Sequence, residues 1–137
     1  MKFENFEVGI ITGCAASAIS VLVGPLDGVI VALLCFMAVD YLTGTISGAI
    51  AHELSSATGW KGLLKKVLTL LIVCIVHIGE VYLLGSSGHV LRDGVCAFYI
   101  GNEGLSILEN MHECGVKYPA KIEKLFESWR DSNDHDE

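Results

Sequence analysis

GVIVALLCFMAVDYLTGTISGAIA, residues Gly28 to Ala51, runs for 24 residues with a single charge, Asp40, at its middle. At 1.5 Å per residue a helix of this length crosses the roughly 30 Å hydrocarbon core of a bilayer with tilt to spare. An apolar run this long signals a membrane span. Its carboxylate is the anomaly. At the centre of a lipid-facing helix Asp40 costs about 2.5–3.5 kcal/mol on insertion scales, so it must face protein or water. Two uses fit such a residue: a protonated or hydrogen-bonded structural acid inside a helix bundle, or a group that lines a path or holds a switch.

Outward from this stretch, Gly24-Pro25-Leu26-Asp27 reads as a tight turn. Before it, VGIITGCAASAISVLV is free of charge and supplies a first span over about 8–24. On the second span, about 28–51, Asp40, Gly44 and Ser47 recur at helical spacing, so one face is small and polar. After it comes a basic connector, HELSSATGWKGLLKK. Thr58 can cap a short interfacial helix there, with Trp60, Lys61, Lys65 and Lys66 as membrane-surface anchors. A third span follows over 67–84, interrupted by His77 and Glu80. A fourth, over 95–111, carries Asn102, Glu103, Ser106, Glu109 and Asn110 on one stripe. Beyond Gly115 and Pro119, Ile122, Leu125, Phe126 and Trp129 repeat at i, i+3, i+4, i+7, an amphipathic helix with Trp129 as a further surface anchor.

The expected fold is therefore all-α: a small polytopic membrane protein with four transmembrane helices, or three if the first segment is omitted. Residues 1–114 form the membrane domain, and residues 115–137 form a cytoplasmic amphipathic helix with an acidic tail. Composition agrees, since 52% hydrophobic residues in 137 is too apolar for an ordinary soluble domain. Of the nine basic residues, eight (Lys2, Lys61, Lys65, Lys66, Lys117, Lys121, Lys124 and Arg130) fall on one side of a four-span layout and Arg92 on the other. The positive-inside bias then puts both termini on the cytoplasmic side of the membrane.

Several functions are excluded. A net charge of −7 without a basic patch argues against nucleic acid. The five cysteines stand one to a segment with no CxxC pair, and the five histidines are equally dispersed, so no metal site is expected. No phosphate loop, HExxH or GxSxG motif occurs. We expect no catalytic residue, no cofactor and no enzymatic activity.

Depth can be counted along antiparallel spans. The second is centred between Val39 and Asp40, the third between Ile75 and Val76, and the fourth on Glu103. This count places Asp40, His77, Asn102 and Glu103 within about 3 Å of one level. One histidine among two acids would form a mid-membrane cluster able to hold a resting bundle together.

Two blocks of sequence suggest a family. Asp40-Tyr41-Leu42-Thr43-Gly44 with Ser55, Gly59, Gly62, Lys65 and Lys66 is one. Asn102-Glu103 with Ser106-Ile107-Leu108-Glu109-Asn110, Gly115 and Pro119 is the other. Together they resemble the toxin-secretion/phage-lysis holin family from about Met37 to Phe126, although the chain ends acidic where the family is commonly basic. The resemblance implies a homo-oligomer that accumulates harmlessly, then opens lesions that release a cell-wall-degrading endolysin or help export a large toxin. Partners would be membrane lipids, further copies of itself, and the endolysin or toxin it serves. A compact domain of ~100 residues is on the order of 30 Å across, so only many copies together could pass one. Asp40, Thr43, Gly44, Ser47, His77, Glu80, Asn102, Glu103, Ser106 and Glu109 are then candidates for lining or packing the assembly. The same intramembrane acids also suit a narrow ion channel or a proton-coupled transport subunit. An antiholin or assembly partner would share every one of these features.

Overall fold

A computed structural model describes residues 13, 17, 19–85, 88–122 and 124. Among the described residues every regular element is a helix, with no strand. Three long helices follow one another: α1 (Gly28–Ile50), α2 (Ser56–Ile78), which continues as a wider π turn over Gly79–Leu83, and α3 (Val90–Glu113). Of the expected first span, residues 13, 17 and 19–23 are described and are helical, and the rest lies outside the described residues. The same is true of Trp129 and most of the amphipathic C-terminal helix, of which residues 120–122 and 124 are helical.

Among the described residues two helices are long and apolar enough to cross a membrane: Gly28–Ile50, 23 residues at a mean hydropathy of 2.1, and Ser56–Leu83, 28 residues at 2.0. Helix α3 is 24 residues long, but its polar stripe keeps it out of that class.

Local chemistry sets where each helix begins and ends. Asp27 caps α1, its carboxylate accepting from the backbone N–H groups of Val29 and Ile30 at 3.2 Å each. Helix α1 stops where His52 takes a left-handed conformation, φ 58°. Helix α2 then departs from the expected layout of a separate interfacial helix and a span starting at Val67. It is one continuous helix with Ser55, not Thr58, at its N-cap position, where the Ser55 hydroxyl makes no capping bond. Nothing between Ser56 and Lys66 breaks it, because Leu and Lys are good helix formers and Gly59 and Gly62 cost only about 1 kcal/mol each against Ala. At its far end the π turn carries Glu80, which is 2% exposed.

Helices α1 and α3 form the main packed pair, and α2 lies more lightly against them. The core is small: Ile30, Leu33 and Met37 from α1, Val73 from α2 and Cys96 from α3. In α2 only Val73 and His77 are buried. Large apolar side chains cover the outside instead, among them Leu34, Leu42 and Ile46 on α1 and Leu68, Leu71 and Ile75 on α2. An apolar exterior of this extent marks a surface made for something other than water.

Candidate functional site

With so few apolar contacts on α2, polar groups do much of the fastening, and they gather at two places. The first lies on α2 toward its junction with α1. Lys66 donates from Nζ to Asp40 Oδ2 at 2.7 Å and also to Glu103 Oε2, so one ammonium ties α2 to both other helices. The three side chains are 13–17% exposed. Asn110 of α3 donates from Nδ2 to Asp40 Oδ1 and to Thr43 Oγ1, both at 3.1 Å. Gly44, one turn on from Asp40, lies beside that amide, and a Cβ there would meet Asn110 Nδ2 at 3.4 Å, an ordinary van der Waals contact. The Ser106 hydroxyl also interacts with Asp40. Farther along, Ser47 donates to Glu113 at 2.6 Å, so α1 and α3 are joined by a line of polar contacts over several turns.

This arrangement corrects the expected cluster of Asp40, His77, Asn102 and Glu103. His77 is not in it, and Lys66 stands in its place. Depth had been counted from the middle of the apolar run after Val67, but α2 begins at Ser56. Counted from the α1–α2 junction, Asp40 lies ten residues before Ile50 and Lys66 ten residues after Ser56, which brings the two level. Lys66 is thereby also corrected as a surface anchor: it turns inward to the two acids. Trp60, Lys61 and Lys65 do remain exposed on α2, and Asn102 and Glu109 are exposed on α3.

The second fastening point is at the opposite end and centres on Arg92, a residue the sequence offered only as an isolated basic group. Its side chain is wholly buried. The guanidinium donates to Asp93 Oδ1, at 2.9 Å from Nε and 2.6 Å from Nη2, and to Asp27 Oδ2. Its Nη1 lies 3.4 and 3.3 Å from the carbonyl oxygens of Val23 and Pro25. Desolvation pushes the Asp27 carboxyl up, but the hydrogen bond from Arg92, the capped N–H groups and the guanidinium charge outweigh it. The carboxyl is held below its ordinary range. Glu80 works from α2: Oε1 accepts from the N–H of Leu91 and Oε2 from that of Arg92, each at 3.1 Å. It thus satisfies orphan donors at the start of α3, where His89 supplies no side-chain cap. His77, 5% exposed, packs its ring 5.3 Å from that of His89. Gly24, at φ 85°, lets the chain pass over this cluster, since a Cβ would stand 3.0 Å from the His77 ring.

Between α1 and α2, near their junction, an open cleft of about 990 Å³ reaches Asp40, Lys66, Glu103 and Asn110. Water entering there meets two carboxylates and one ammonium. Among the described residues no group of three metal-ligating side chains assembles.

Comparison with known proteins adds a context. A profile described as "Bacteriophage holin family" matches residues 17–131. An uncharacterized protein of Listeria monocytogenes is 36% identical over 120 residues, covering 84% of each chain. A Clostridium perfringens protein described as an "uncharacterized 14.9 kDa protein in nagH 3'region" is 41% identical over 101 residues, 74% of this chain and 76% of its own. A "probable holin" of Bacillus phage phi105 is 39% identical over 84 residues, 61% of each chain. No solved structure matches.

Proposed function

This chain belongs to the bacteriophage holin family, and from that premise we propose that it acts as a holin in the bacterial cytoplasmic membrane. It accumulates as a closed helical bundle, oligomerises, and opens lesions that release an endolysin or a large toxin. Four spans with both termini in the cytoplasm suit the charge distribution, with α3 as a polar-striped span sheltered against α1. The role is structural and needs neither catalysis nor a cofactor.

One observation carries the reading: Lys66 sits between Asp40 and Glu103, joining three helices whose outer faces carry large apolar side chains. Three charges at this depth are tolerable only while they face each other or water. In the closed bundle they face each other. In an open assembly the same residues, with Thr43, Ser106 and Asn110, would line water instead. The light packing of α2 makes it the element that moves.

Induced expression in a bacterial host, with and without a co-expressed endolysin, tests the proposal. Abrupt lysis at a fixed time with the endolysin, and only a halt in growth without it, is the expected result. Lysis that is equally fast in both cultures, or absent from both, would overturn it. The narrow-channel reading is favoured by the cleft that reaches the acids. It calls for depolarisation without lysis in the presence of endolysin.

A further inference from the structure

Helix α3 carries one exposed acid that its own bundle does not use. Glu109 is exposed, while Asn102, seven residues earlier on the same face, borders the chain's own cleft. Glu109 has no partner among the described residues. On α2, Lys61 and Lys65 are likewise exposed, one turn apart and without a partner among the described residues. A carboxylate and an ammonium on the sides of membrane helices must each find water, headgroups or an opposite charge.

Their depths match. The Lys66–Glu103 pair fixes a common level on the antiparallel helices α2 and α3. From that level Glu109 lies six residues toward the α1–α2 junction, about 9 Å, and Lys61 lies five residues the same way, about 7.5 Å. Copies of one protein inserted with one orientation are related by rotation about the membrane normal, which preserves depth. Glu109 of any copy is therefore level with Lys61 of every other copy, to within about 1.5 Å.

We infer that the Glu109 face of α3 docks against α2 of a neighbouring copy, with Glu109 paired to Lys61. The interface joins two different surfaces, so each copy keeps one of each free for the next. Such a head-to-tail contact builds rings or open arrays of unfixed size rather than closed dimers, as a lesion wide enough for a folded enzyme requires. This inference rests on the proposed oligomeric holin and names the surface by which it assembles.

Charge reversal separates the possibilities. Lys61→Glu alone sets two acids against each other, and Glu109→Lys alone sets two bases, so each should cut the yield of chemically cross-linked oligomers in membranes by about fivefold or more. The double variant should recover. So should the two single variants co-expressed, because every contact in an alternating array then pairs opposite charges. Membrane abundance of each variant, measured alongside, reports on folding. Recovery in the double variant but not in the mixture would place the pair within one chain and overturn the inference. Single variants that cross-link like the parent would show that each side chain meets only headgroups or water, which also overturns it. Because cross-linking is read without endolysin, loss of lysis with intact rescue would count against the holin reading and leave the interface standing.

Discussion

Lys66 of α2 reaches Asp40 of α1 at 2.7 Å, although of the three long helices these two pack least against each other. The ion pair is thus a larger share of what holds α2 than it would be in a tightly packed protein. Lys66→Met should leave two carboxylates facing each other without their counter-ion. A loss of about 3–5 kcal/mol is the usual consequence of breaking a buried pair on one side. Thermal unfolding in detergent should show a lower midpoint, and lysis should start earlier than in the parent. An unchanged midpoint and onset would mean that the ammonium contributes nothing to the closed state.

The acids should behave differently from the base, because there are two of them for one ammonium. Asp40→Asn or Glu103→Gln alone leaves Lys66 with one counter-ion, so each should be mild. Together they strand a buried ammonium. The double variant should fall well beyond the sum of the two singles, with a coupling of about 1–3 kcal/mol. Unfolding midpoints of the four proteins in the cycle give the number, and additive effects would dissolve the triad as a unit.

Much of this organisation was legible in the sequence, and the exceptions share a cause. The run after Asp27 declares helix α1 through its length and its cap. Asp40 and Glu103 stand out because acids are costly at such depth. Their partner was hidden because Lys66 closes a lysine-rich stretch that reads as a membrane-surface anchor. Only the start of α2 at Ser56, in a helical stretch unbroken through Lys66, shows it to be level with Asp40. Arg92 was hidden for a similar reason. Its partners Asp27 and Asp93 and the carbonyls of Val23 and Pro25 come together only when the first turn of α3 meets the turn before α1. Glu80 capping a helix other than its own leaves no local sequence signal at all.

Arg92 should not be replaceable by lysine. The guanidinium serves Asp27 and Asp93 and lies against two backbone carbonyls, which a single ammonium cannot reproduce. Arg92→Gln should cost less than the ~3–5 kcal/mol of a fully buried pair, because Asp27 and Asp93 are 35% and 40% exposed and water takes over part of their solvation, and Arg92→Lys should recover only part of it. Detergent melting curves and limited proteolysis of the turn before α1 would read the difference. Full recovery by lysine would show that charge alone matters there.

The expected orientation rests on Lys61 and Lys65 in the first turns of α2 against Arg92 beyond its far end. With the native cysteines replaced, Glu53→Cys in the α1–α2 connector should react with an impermeant thiol reagent only after the cells are opened. Leu84→Cys beyond the π turn should react in intact cells. The reverse pattern would invert the topology, and labelling of both in intact cells would remove α2 as a span.

The central claim is that these small bundles together open a passage wide enough for a folded protein. Its most direct measurement is the release of a folded cytoplasmic reporter of ~100 residues, about 30 Å across, from induced cells in osmotically protective medium without endolysin, timed against membrane depolarisation. The expected result is reporter in the medium within the same interval as the loss of potential, with release delayed or abolished in variants that cannot assemble. Complete depolarisation while the reporter stays inside the cells would contradict the claim and leave a narrow channel in its place.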